Sequence, residues 1–140
     1  MSAFAKSTKP LSDDIATNAN DISSLEPGSW NDLTPINGWT ASVLKYRLLP
    51  AINSVQIIGS NLNGSSATST YFAACPSEAK PASGYDADFG VVKRLIANPY
   101  TSGAAEVYIH PTANNYSMID YPAGNYNLMK YNFNQIYTLG

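Results

Sequence analysis

Residues 43–59 read VLKYRLLPAINSVQIIG, and this stretch decides the fold class. From Val43 to Leu48 the charged Lys45 and Arg47 alternate with Leu44, Tyr46 and Leu48, the two-residue period of a strand with one wet and one dry face. Ser54–Gly59 is a second apolar run, and Pro50–Asn53 separates the two by a length suited to a hairpin. Further runs of strand character lie at Thr70–Ala74, Phe89–Ile96, Glu106–His110, Tyr116–Asp120, Tyr126–Tyr131 and Phe133–Leu139. Turn-rich stretches divide them at Asn61–Thr68, Lys80–Asp88, Asn98–Ala104 and Tyr121–Asn125. Seven or eight short strands spaced about ten residues apart predict a β-sandwich or jelly roll. Tyr116, Tyr121, Tyr126 and Tyr131 recur every five residues, but the residues between them do not repeat.

Composition points the same way. A chain of 140 residues is the size of one domain with little left over, and 44% hydrophobic residues are enough for a core without disulfides. Charged residues are only 13%, about half the usual share, and 14 Asn, 16 Ser, 9 Thr and 10 Tyr fill the gap. Helices usually wet their outer faces with Glu, Lys and Arg, so this balance favours strands and loops. A net charge of -2 with scattered bases, Lys93–Arg94 being the sole adjacent pair, argues against a nucleic-acid partner. No apolar stretch approaches the roughly 18 residues of a membrane helix, so no membrane insertion is expected. The N-terminal residues lack the apolar core of a signal peptide. Cys75 stands alone, which excludes an internal disulfide and fits folding in a reducing cytoplasm.

The first 28 residues differ from the rest. No Gly, Pro or aromatic residue occurs from Ser12 to Leu25, and Leu11, Ile15, Asn18, Ile22 and Leu25 are spaced four, three, four and three apart. That is the a/d seam of a coiled coil with one polar core position. Ser12, Asp13 and Asp14 supply an N-cap and early negative charge, and Glu26–Pro27–Gly28 ends the helix. Two heptads are too short to stand alone in water, so copies of the helix or its own β-domain must cover the seam. Asn18 favours copies, because a polar core position sets register and stoichiometry. The expected organisation is an attachment and trimerisation segment at 1–28 and a knob at 29–140.

Catalytic chemistry is poorly served, and no enzyme activity or cofactor is expected. The single histidine, His110, lies between a strand and Pro111, where an ordinary surface role is expected; three copies meeting on a symmetry axis would offer a metal site. Asp86 and Asp88 share one side of an extended chain, yet no further oxygen ligands of the required type lie near them. Cys75, beside Pro76, has no local cation to lower its pKa and reads as a small buried apolar residue. The stronger signal is the density of Tyr and Asn in the last third. Tyrosine offers a flat apolar face with a hydroxyl, and asparagine a donor beside an acceptor, which together suit neutral polar ligands such as sugars. Tyr108, Tyr131 and Tyr137 read as strand positions. Tyr100, Asn114, Asn115, Tyr116, Tyr121 and Asn125 are the candidate ligand-binding residues.

Trp30–Asn31–Asp32–Leu33, Asn37–Gly38–Trp39–Thr40, Leu44–Lys45–Tyr46–Arg47, and Val55–Gln56–Ile57 with Gly59 follow one another in order. This succession resembles the head domain of phage tail-fibre and receptor-binding proteins, in which a W…L…NGW segment precedes a Y-R strand and a V-x-I-x-G strand. Cys75–Pro76 with Lys80–Pro81–Ala82 loosely resembles the Pro-containing segment that follows in the family. The likeness covers residues 30–82 and fades beyond. It implies a homotrimeric β-sandwich knob on a short stalk, displayed on a virion and attaching to a host surface polysaccharide or protein. It also implies that residues 1–28 hold other virion proteins of the tail, baseplate or capsid. The trimer interface would comprise Leu11, Ile15, Asn18, Ile22, Leu25, Trp30 and Trp39, the two tryptophans closing the base of the sandwich. The family's fibres are usually much longer, so a head fibre or a capsid or tail decoration protein without a receptor is the alternative.

Overall fold

The computed structural model describes residues 3–81, 93–99, 104–109, 114–121 and 130–140. Helix α1 spans Ala3–Leu25 and is followed by β1 (Asn31–Asp32), β2 (Val43–Leu49), β3 (Ser54–Asn63), β4 (Tyr71–Ala74), β5 (Lys93–Pro99), β6 (Ala104–Ile109), β7 (Asn115–Tyr121) and β8 (Lys130–Thr138). All strand pairings are antiparallel, in the order β1-β2-β3-β8-β5-β6-β7-β4. β5 joins the two sheets. Lys93–Ala97 pair with β6, whereas Asn98 and Pro99 pair with Asn132 and Tyr131 of β8. The two ends of the order also meet: Leu33 N–H donates to Leu44 O, Ile36 N–H donates to Phe72 O, and Pro35 bridges Ala73. The segment after β1 thus covers backbone groups of both β2 and β4 that would otherwise form open edges.

The hairpin read from residues 43–59 is present, with Val43↔Ser60 and Leu49↔Ser54 at its ends. Its turn is a 3-10 turn at Pro50–Ile52 closed by Asn53 in the left-handed region, φ 46°. Leu44, Tyr46, Val55 and Ile57 face the core while Lys45, Arg47, Gln56 and Ile58 face outward, as the alternation requires. On β8 the same period buries Tyr131, Phe133 and Tyr137 and exposes Asn132, Asn134 and Ile136. Trp39, Phe72, Val107, Tyr116 and Met118 complete one continuous core. Asn37 and Gly38 occupy two successive left-handed positions, φ 55° and 82°, the pattern of a type I′ turn. A side chain at residue 38 would also collide with Ser66 O, at 2.2 Å from the added Cβ.

Several expectations need correction. The helix begins well before Ser12, so Ser12, Asp13 and Asp14 are interior residues and not a cap. Pro10 lies within it; its fixed φ is already helical, although it removes one hydrogen bond. Residues 61–63, expected in a loop, belong to β3. The ladder to β8 slips by one residue between Gly59 and Leu62, and Asn61 takes φ 52°, so a bulge absorbs what reads locally as a turn. Asn98, Pro99 and Ala104 are strand residues, because β5 and β6 extend beyond their most apolar parts. Residues 130–138 are one strand where two were expected to meet at Asn132.

Candidate functional site

Helix α1 carries its apolar residues in the open. Leu11, Ile15, Ile22 and Leu25 are 61%, 61%, 64% and 51% exposed, and Asn18 between them is exposed too. The helix touches the 3-10 turn at Pro50–Ile52, and its large apolar residues from Leu11 to Leu25 stay more than half exposed. Among the described residues the chain's own strands do not cover this stripe. Four large aliphatics in a line are worth burying, on the order of 1.5–3 kcal/mol for each side chain fully removed from water.

The two tryptophans part company. Trp39, expected at a protomer contact, is 3% exposed and lies in the core of its own chain. There its Nε1–H donates to Ser69 O at 2.8 Å, and its ring meets Phe72 edge-on at 5.9 Å. Trp30, expected at the same contact, is 37% exposed and carries the Arg47 guanidinium 4.5 Å from its ring centre. Arg47 Nε–H donates to Gln56 Oε1, and Gln56 Nε2–H donates to Asn134 Oδ1, both at 2.8 Å. This row crosses the outer face of β2, β3 and β8. Beside it, Gly59, Ser60, Asn132, Phe133 and Asn134 line a shallow open depression of about 330 Å³ at the bulge. Asn132 and Asn134 were read from sequence only as part of the Tyr/Asn density; alternation along residues 130–138 was the signal that places them outward.

The ligand-binding candidates are scattered. Tyr116 is fully buried in β7, its ring stacked near Phe72 and its hydroxyl 2.7 Å from that of Tyr137. It therefore has no surface to offer a sugar. Asn114 is exposed with a left-handed backbone, and its carbonyl accepts the Cys75 N–H. Asn115 is half-buried at the start of β7, and Tyr121 ends that strand. Tyr100, Asn125, His110, Asp86 and Asp88 lie outside the described residues.

Among the described residues the densest titratable cluster is largely interior, with Glu78 at its exposed edge. Tyr137 O–H donates to Ala79 O at 2.7 Å, Tyr46 O–H donates to Glu78 Oε1, and Cys75 lies beside Tyr116 and Tyr137. Burial pushes the Tyr46 hydroxyl up to about 12, with the Glu78 carboxylate adding to the effect. Burial likewise raises Tyr116 and Tyr137 far above the ordinary tyrosine range, and raises the Cys75 thiol. Glu78, accepting from Tyr46, is held below the usual carboxylate range. The three tyrosines and the thiol are kept neutral and knit β2, β7 and β8 together, while Glu78 at the exposed edge of the cluster is ionised. Folded-state pKa values above the unfolded value of 10.0 leave stability intact below pH 10. Stability then falls as pH rises through about 12. Tyrosinate absorbance from Tyr46, Tyr116 and Tyr137 is expected to appear above pH 10 in a step that coincides with loss of native circular dichroism. A single non-cooperative titration would contradict the network.

Set against known proteins, the chain matches no protein-family model, no curated protein and no solved structure.

Proposed function

We propose that the chain is a non-enzymatic phage virion protein, a homotrimeric tail fibre or tail-tip receptor-binding protein. Residues 1–28 form the stalk that trimerises and holds other virion proteins, and residues 29–140 form a β-sandwich knob that attaches to a host surface glycan or protein. It folds in the host cytoplasm and acts on the virion. The observation that carries this reading is the uncovered apolar seam with Asn18 at its centre, rooted in a mainly β knob. A surface poor in charge and rich in amides and hydroxyls suits contact with neutral polar sugars.

The test is the mass of the full chain in solution by light scattering, followed by binding of labelled protein to host cells. A mass three times 15.0 kDa with saturable cell binding is the expected result. A monomer at all concentrations would sink the stalk, and a trimer bound only by virions would leave a decoration protein.

A further inference from the structure

We propose that in the assembled protein Arg47 of each copy neutralises a pair of carboxylates brought together by two neighbouring helices at the foot of the stalk, Asp21 of one copy and Glu26 of the next. The inference rests on the self-association proposed above and names what completes that interface.

In a parallel coil built on Leu11, Ile15, Asn18, Ile22 and Leu25, the residues just before Ile22 and just after Leu25 flank the seam. A flanking residue of one helix then faces the residue five positions on in its neighbour. Asp21 accordingly faces Glu26, two like charges. One heptad earlier Asp14 faces Ala19, so the repulsion is confined to the knob end. The helix cannot relieve it, because the chain holds no Lys or Arg between Lys9 and Lys45. Among the described residues neither Asp21 nor Glu26 makes an ion pair.

The first cations after the stalk are Lys45 and Arg47. Lys45 is engaged by Asp32 at 3.6 Å, whereas Arg47 has no carboxylate on its own chain among the described residues. Arg47 is also held in place. Gly28 N–H donates to Leu48 O at 2.8 Å, which brings the segment leaving the helix alongside the end of β2. The Trp30 ring lies under the guanidinium, and the hydrogen bond to Gln56 uses Nε. The two terminal amino groups are thereby left for carboxylate oxygens, in the planar fork that suits them. Trp30 and Ile52 are exposed at this same end of the knob, and a neighbouring copy seated here would shield the pair from water.

The experiment is a dilution series of the full chain by analytical ultracentrifugation, comparing wild type with R47Q, R47K, D21N/E26Q and D21N/E26Q/R47Q. R47Q is expected to raise the midpoint of dissociation by about tenfold or more. R47K, which keeps the charge but loses the fork, the stacking on Trp30 and the bond to Gln56, is expected to fall between wild type and R47Q. In the D21N/E26Q background, where no repulsion remains, R47Q is expected to change the midpoint by less than about twofold. An equal effect of R47Q in both backgrounds, or none in either, with the wild type still assembled, would overturn this pairing and leave the stalk reading standing. A wild type that never assembles fails the stalk reading itself, and the pairing with it.

Discussion

The double substitution Ile15→Asp with Ile22→Asp is expected to convert the protein to a monomer at micromolar concentration while leaving the knob folded. Each isoleucine is more than half exposed in the single chain, so neither contributes to the knob's own packing. Their loss is felt only where copies meet. Burial of each is worth roughly 1.5–3 kcal/mol, and an aspartate in its place brings a charge into a dry seam that already holds Asn18. Two such positions amount to a shift of about a thousandfold or more in the dissociation midpoint, at 1.4 kcal/mol per tenfold. The released helix has no partner. With many Ser, Thr, Asn and Asp residues and a proline at position 10, it should also lose helical circular dichroism. Light scattering and circular dichroism on the same samples check both parts. A double variant that remains trimeric would mean that the knob alone holds the assembly.

Periodic elements were legible from the chain because each reports a single face. The alternation at 43–49 and that at 130–138 place their side chains as the period dictates, and residues 11–25 are helical, as their spacing predicts, with every side chain exposed. What was hidden depends on partners distant in sequence. Asn61 reads as a turn residue, and it is one locally. It sits inside β3 because Asn132 Oδ1 accepts its backbone N–H across the bulge at 3.0 Å, and its own Nδ2–H donates to Ser42 Oγ. The meeting of Pro35 with Ala73 closes the strand order through an irregular segment with no strand pattern of its own. Tyr116 looked like a surface residue because it stands in a run of Asn and Tyr. The hydroxyl of Tyr137, 21 positions away in the chain, gives its polar end a partner and so permits full burial. The site shows the same division. The helix could be read at once, whereas the row through Trp30, Arg47, Gln56 and Asn134 needed the register of β2, β3 and β8.

Trp39→Ala is expected to be the most damaging single change in the knob, and Trp30→Ala among the mildest. The two residues stand nine positions apart in similar sequence surroundings, yet one is 3% and the other 37% exposed. Removing the Trp39 indole opens a cavity between Phe72 at 5.9 Å and Tyr131 at 6.1 Å. It also strips Ser69 O of its donor. Large-to-small changes of this kind cost about 3–5 kcal/mol, and a carbonyl left unpaired adds about 1 kcal/mol or more. Against a typical domain stability of about 5–15 kcal/mol, the variant is expected to be close to unfolding at ordinary temperature. Trp30→Ala removes the platform under Arg47 and an indole that is already 37% exposed, so its cost to the single chain should stay well below that of Trp39→Ala. Urea denaturation of both variants, run in the Ile15→Asp/Ile22→Asp background so that assembly does not contribute, separates the two roles. Equal midpoints would mean that Trp39 is not the centre of the core. A midpoint lowered strongly for Trp39→Ala alone would assign that residue to folding and leave Trp30 available for contacts outside the chain.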